Sequence, residues 1–201
     1  MAAKQNLIIR QGETFLRIIR WETPPFIYKP ITAITQAGPA VVTAVGHGLK
    51  TGWRAAVVSA GGMTEINAGH SPPREHEYKQ GTALSADDVA FNTVNSSEYT
   101  AYTAGGYLQF YTPVDLTGYS ARMTIKNKIG GTELMLLTSS APDNRIALDA
   151  TNYTITLTIS AADTTAITWK VGVYDLEMES GAGVVTTIFS GVITVAREVT
   201  T

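Results

Sequence analysis

Alternation of apolar and polar residues dominates the C-terminal half of the chain. In Tyr153-Thr-Ile-Thr-Leu-Thr-Ile159, residues Tyr153, Ile155, Leu157 and Ile159 alternate with threonines. Period two with β-branched residues predicts a strand with one buried face. Ala121, Met123 and Ile125 alternate in the same way with Ser120, Arg122, Thr124 and Lys126. Trp169 to Met178 predicts a further strand, and its apolar residues change parity between Val173 and Tyr174, which suggests a bulge or burial on both faces. Near the end, Val185, Phe189, Ile193 and Val195 share one face with Gly191, a position suited to a bend or a close backbone approach.

Turn chemistry separates these runs. Lys128-Ile-Gly-Gly-Thr132 and Ser180-Gly-Ala-Gly183 read as hairpin loops, and Ala141-Pro-Asp-Asn144 as a turn before the short strand Arg145–Leu148. Ser160 to Ala166 predicts one helical turn crossing between sheets. About six strands follow Ser120, with the spacing of an antiparallel sandwich. Asn6 to Arg10 and Thr14 to Trp21 predict two more, joined by a turn at Gln11-Gly12. A lone hairpin is marginal in water, so these N-terminal strands are expected to pack on the distant C-terminal sheet.

Residues 31–107 differ in character. Pro39–Thr43, Trp53–Ser59 and Val89–Val94 predict short strands among Gly46-His-Gly48, Gly61-Gly62 and Gly105-Gly106. The prolines of Thr23-Pro-Pro-Phe26 and Lys29-Pro30 are expected to interrupt the first β region, and Ala68 to Ser85 to form a long exposed loop. The fold predicted is all-β: an immunoglobulin-like antiparallel sandwich of residues 1–30 plus 108–201, with a small barrel-like β module, 31–107, inserted.

Composition narrows the chemistry. The 201 residues carry 15 Lys+Arg against 17 Asp+Glu, which argues against a polycationic nucleic-acid coat. Hydrophobic residues make up 44%, enough for a core. The absence of cysteine excludes disulfides, thiolate nucleophiles and thiolate metal sites and fits synthesis in a reducing cytosol. The apolar run Leu7-Ile-Ile is too short for an export signal, and no stretch approaches the roughly 20 apolar residues of a spanning helix.

The candidate reactive residues read as structural. His47 between glycines suits a turn. His70-Ser-Pro-Pro-Arg-Glu-His76 lacks metal-ligand spacing. Asp87-Asp88 lies in a turn and cannot flank a substrate as a glycosidase pair does. No Gly-x-Ser-x-Gly elbow or phosphate loop is present. No catalytic residue, cofactor or metal is expected. Trp53 and Trp169 are expected to pack in cores, and Trp21, just before the Pro24-Pro25 segment, to plug the junction between the modules. Arg10, Arg17 and Arg20 share the first two strands, as a solvated face or as a basic edge for an acidic neighbour. His70, Arg74, His76 and Tyr78 form the candidate interaction loop.

Two phrases resemble tailed-phage proteins. Ile31-Thr-Ala-Ile-Thr-Gln-Ala-Gly-Pro-Ala-Val-Val-Thr-Ala-Val-Gly-His-Gly-Leu49, with Gly61-Gly-Met-Thr-Glu-Ile-Asn67 and Tyr99-Thr-Ala-Tyr-Thr-Ala-Gly-Gly106, resembles a small β module of phage structural proteins. That module is compared in shape with the first catalytic-cysteine half-domain of ubiquitin-activating enzymes. The stretch Ala68 to Ser85 departs from its pattern. Pro113-Val-Asp-Leu-Thr-Gly-Tyr-Ser-Ala-Arg-Met-Thr-Ile125, Gly172-Val-Tyr-Asp-Leu-Glu-Met178 and residues 191–200 resemble the N-terminal domain of phage baseplate upper proteins. In that family the Asp-Leu-Thr-Gly turn precedes a core strand and Tyr-Asp-Leu-Glu lies near the sheet centre. The resemblance implies a non-enzymatic virion subunit of the tail or baseplate, made in the host cytoplasm. It would form homo-oligomeric rings and anchor fibres or other virion proteins, with no nucleic-acid or membrane partner. A head-decoration, neck or collar protein and a host-glycan-binding module are the alternatives.

Overall fold

The computed structural model describes residues 2–198, so Val199 and Thr200 of the second motif lie outside the described residues. Nearly all of the regular secondary structure is strand. The N-terminal strands are β1 (Ala3–Lys4), β2 (Leu7–Arg10) and β3 (Phe15–Ile19). Seven strands follow: β4 (Glu22–Pro30), β5 (Ala33–Ile34), β6 (Ala40–Thr43), β7 (Arg54–Val58), β8 (Lys79–Ala83), β9 (Asp88–Phe91) and β10 (Tyr107–Pro113). The rest are β11 (Ser120–Lys126), β12 (Glu133–Thr138), β13 (Ile146–Asp149), β14 (Thr154–Ile159), helix α1 (Ala161–Thr165), β15 (Val171–Glu179) and β16 (Val185–Ala196). None of the described helices is long and apolar enough to cross a membrane.

Two compact units result. The first takes the chain through Trp21 and again from Pro113, and the second is Glu22–Thr112. The expected boundaries, 30/31 and 107/108, move because Glu22–Pro30 is itself a strand bonded to β10, so both belong to the second unit. Its prolines are tolerated because β4 is an edge strand, where a missing N–H costs no ladder bond.

In the first unit one sheet runs β16-β15-β11-β12, with β1 and β2 both paired to the free side of β16, and the other runs β13-β14-β3. A shared core joins them: Leu7, Ile9, Ile19, Met123, Ile125, Leu137, Ile155, Leu157, Ile159, Leu176 and Ile193 pack together. The inward residues of β11 and β14 are those the alternation predicts, except that Tyr153 precedes its strand with φ 54°. By strand order this is an immunoglobulin-like sandwich, in which one sheet is ordered A-B-E-D and the other C-F-G. Strands β3, β14 and β13 take positions B, E and D, while β11, β15 and β16 take C, F and G. Among the described residues nothing pairs with β3 at position A. The N-terminal strand instead runs parallel to β16, with Ile9 opposite Val195, so this edge is not antiparallel as expected.

Local chemistry sets the details. Asp115 accepts from the Thr117 backbone N–H (2.9 Å) and hydroxyl (2.7 Å), shaping the Asp-Leu-Thr-Gly turn that buries Leu116 and delivers the chain to β11. The Ser160 hydroxyl caps α1 by accepting from the Asp163 N–H (3.1 Å). Strand β15 shows no change of parity: Gly172, Tyr174, Leu176 and Met178 all face inward. The irregularity lies across from Leu176/Glu177, on β16, where Ile188 is the extra residue. That bulge buries Ile188 and leaves Val185 exposed, so the single face expected for β16 holds only from Gly191 onward. At Gly191 a Cβ would run into the Gln5 carbonyl oxygen, so the close approach is with β1–β2 backbone.

The second unit is one path of seven strands, β4-β10-β7-β8-β9-β6-β5, whose pairings from β10 to β5 are antiparallel. Trp53, Met63, Phe91, Leu108 and Phe110 are buried in it. The long loop expected over 68–85 is shorter, because a single 3-10 turn (Glu75–Glu77) leads into β8.

Candidate functional site

Two surfaces stand out, one on each unit. On the second unit, β10 buries Leu108 and Phe110 on one face and carries Tyr107, Gln109 and Tyr111 on the other, where Gln109 is also buried. Adjacent β4 contributes Phe26 and Tyr28. Their rings make a continuous row: Tyr107 to Tyr28 (6.1 Å, 90°), Tyr28 to Phe26 (6.4 Å), Phe26 to Tyr111 (4.7 Å) and Tyr111 to Tyr78 (5.5 Å). Edge-to-face and tilted pairs of this kind are favourable beyond their area. The Arg54 guanidinium closes the row, 5.6 Å from the Tyr78 ring centre and 5.8 Å from that of Tyr111. It also bonds Glu22 (3.2 Å) and Glu75, pinning the loop to β4. Burial and neighbouring Tyr111 push the Tyr78 hydroxyl up to about 12, so Tyr78 stays neutral. At the far end Tyr28 and Tyr107 are 51% and 45% exposed, leaving two tyrosine rings open to a ligand.

The expected interaction loop is ordered by one carboxylate. Glu77 accepts from the backbone N–H of Arg74 (2.6 Å) and of Gly69 (2.7 Å) and meets His70 Nδ1 at 3.0 Å. The Arg74 backbone bond and then His70 hold its pKa at about 2. His70, Arg74 and His76 are exposed, but only His70 and the Arg74 backbone converge on Glu77. His76 offers its carbonyl to Lys79 Nζ (3.0 Å). Tyr78 is buried in the aromatic row and is not part of an exposed binding loop.

The other candidate groups hold backbone. His47 is buried, and its Nδ1 accepts from the Leu49 N–H (2.9 Å). Asp87 accepts from the Gly46 N–H (2.8 Å), and Asp88 from the Thr43 hydroxyl (2.7 Å). Trp53 is buried, and Trp21 and Trp169 pack against the sandwich core, Trp21 edge-on to Tyr119 (5.7 Å). No group of three or more His, Asp or Glu among the described residues is arranged to hold a metal ion.

On the first unit the vacant A position leaves an open flank. Strands β2 and β3 are both edge strands, in different sheets. Between them lies an open cleft of about 420 Å³ lined by residues including Gln5, Arg10, Glu13, Phe15 and Arg17. Ile8, Leu16 and Ile18 are 64%, 60% and 55% exposed on the outward faces of these two strands. Arg17 shares the inward row of β3 with Phe15 and Ile19, opposite buried Leu157. Burial raises the Tyr174 hydroxyl, which donates to the Gln5 carbonyl (2.7 Å), and nearby Arg17 counters that rise. Arg10 and Arg17 thus share the cleft lining. The sequence pattern signals both surfaces only weakly: Phe26 and Tyr28 sit among prolines, and an edge strand looks the same as a central one in sequence. No family model matches the chain, and no curated protein matches it.

Proposed function

We propose that the chain is a non-enzymatic structural subunit of a tailed-phage particle, placed in the tail or baseplate. It assembles with copies of itself and with neighbouring virion proteins. The motifs that resemble phage baseplate and tail modules support this reading. The observation that carries it is the open flank of the sandwich, where an unpaired strand edge lies beside exposed Ile8, Leu16 and Ile18. Soluble sheet proteins normally blunt or cover such edges, because they template pairing with another chain. A subunit that spends its working life in an assembly has that cover supplied by a neighbour. The groups most suited to chemistry, Glu77, Asp87, Asp88 and His47, are engaged in holding turns.

The test is fractionation of particles. Antibody against this chain is expected to label isolated tails and not isolated heads. Label on heads or necks alone would move it to the decoration or collar alternative, and absence from purified particles would end the virion reading.

The exposed end of the aromatic row favours a second reading, recognition of a host glycan. Tyrosine faces stack on sugars, and Tyr28 with Tyr107 form an open right-angled pair. Saturable binding on a glycan array, lost in Tyr28→Ala and Tyr107→Ala, would support it. An array without hits would remove it. Trp53 and Tyr78 are buried and cannot stack on a ligand.

A further inference from the structure

The open flank also specifies a partner. We infer that the edge of β3 pairs antiparallel with β3 of a second copy, about a two-fold axis passing between the two Phe15 residues. This rests on the reading of the chain as an assembling subunit and identifies the contact.

The backbone fixes which groups are free. The Thr158 N–H donates to Arg145 O (2.9 Å), so the even residues of β14 point their backbone groups toward β13. The odd residues, Ile155, Leu157 and Ile159, therefore face Ile19, Arg17 and Phe15 of β3. It follows that Leu16 and Ile18 aim their N–H and C=O groups away from the sheet, in line with Thr14 just before the strand. Glu13, in the bend just before the strand, donates its N–H to Arg10 O (3.2 Å), has its carbonyl taken by the Thr164 hydroxyl (2.9 Å), and lines the same cleft as Arg17.

Side chains then choose the register. Pairing centred on Phe15 sets Thr14 opposite Leu16 of the second copy, the hydrogen-bonded pair that uses only free backbone groups. It sets Phe15 opposite Phe15 and Glu13 opposite Arg17, twice over by symmetry. Facing residues of this kind lie roughly 4.5–5.5 Å apart at Cβ, within reach of an ion pair and an aromatic pair. Centring on Leu16 would place Glu13 against buried Ile19, and centring on Arg17 would oppose two arginines. Centring on Ile18 would oppose Leu16 to Arg20. The segment Glu13-Thr-Phe-Leu-Arg17 is thus self-complementary in charge only when read against itself about Phe15. An inward arginine on an edge strand is otherwise a device that deters pairing, but Glu13 in the same cleft supplies its counter-charge. The pairing stops at Gln11, whose N–H is bonded to Ala196 O (2.9 Å) and which turns into the other sheet. Such a contact is isologous and closes on itself, joining two three-stranded sheets into one of six.

Sedimentation of the full chain tests this with a charge swap. Wild type is expected to dimerise reversibly. Arg17→Glu should weaken the dimer roughly tenfold or more, because Glu13 would then face a second carboxylate at both sites. Adding Glu13→Arg should restore it, while circular dichroism stays unchanged in all three. Association unaffected by Arg17→Glu, or not regained in the double variant, overturns this pairing. So does a wild type that is monomeric at every concentration. Label on isolated particles, measured separately, decides the assembly reading itself.

Discussion

Ile9 and Ile8 are adjacent in β2, yet one is fully buried and the other 64% exposed. Truncating each to alanine tests whether the N-terminal strand belongs to the C-terminal sandwich. Ile9→Ala removes three carbons from a closed site, about 2.5 kcal/mol at roughly 0.8 kcal/mol per buried methylene. Incomplete collapse of the site raises this to about 3–4 kcal/mol, a large share of the roughly 5–15 kcal/mol that holds a typical domain together. With a urea slope of about 1.5–2 kcal/mol/M, the midpoint should fall by about 2 M. Ile8→Ala should cost no more than about 0.5 kcal/mol. Hydrogen exchange by mass spectrometry across a urea series reads the units separately, through peptides of β11, β14 and β15 on one side and of β6 and β9 on the other. The Ile9→Ala loss is expected in the first set, residues more than a hundred positions away in sequence. Equal effects from the two substitutions, or a loss confined to β6 and β9, would refute the packing argument.

Two other perturbations have defined outcomes. Glu77 is depressed from 4.5 to about 2, so the carboxylate favours the folded loop above pH 4.5, and that contribution is lost as pH falls toward 2. Melting of the β7–β8 region should become less steeply acid-sensitive in Glu77→Gln, and equal pH profiles for variant and wild type would dismiss this role. Gly191→Ala drives a Cβ into the Gln5 carbonyl, so the amide of Gln5, which donates to Ser190 O (2.9 Å), should exchange faster while β14 amides stay protected. Unchanged exchange at Gln5 would mean that the strand can shift aside.

Much of the sandwich is legible in the sequence because its strands obey one rule at a time. In β11 and β14 each inward residue is apolar and each outward one polar, and the turns on either side of β11 carry glycine. Legibility fails where a second constraint intervenes. Strand β4 reads as an interruption because Pro24 and Pro25 normally break strands, and only its edge position permits them. Strand β16 changes parity at Ile188, and a bulge has no signature beyond the residues it displaces. Strand β8 lies inside an expected loop since Lys79-Gln-Gly-Thr-Ala83 has little apolar character and is held by its neighbours β7 and β9. The aromatic row is hidden for a different reason. Tyr107 and Tyr111 show the right spacing, but their stacking on Phe26 and Tyr28 depends on a pairing across about eighty residues. For the expected loop, His70, His76, Glu75 and Glu77 are all visible in the sequence, but not that Glu77 organises the backbone.

The split of the first unit by the second has a kinetic consequence. To join β3 to β11 directly, the sandwich must close a loop of about ninety residues, which costs roughly 4 kcal/mol of chain entropy when that loop is unstructured. In the second unit the entering strand β4 and the leaving strand β10 are bonded neighbours, and on the sandwich side the Val114 N–H donates to Trp21 O (2.9 Å). Once the intervening module has folded, the two severed halves are tethered a few ångströms apart. The order of events is thereby biased from the inside outward: the module acts as a staple, and a mutation that slows its formation should delay maturation of a sandwich it is not part of.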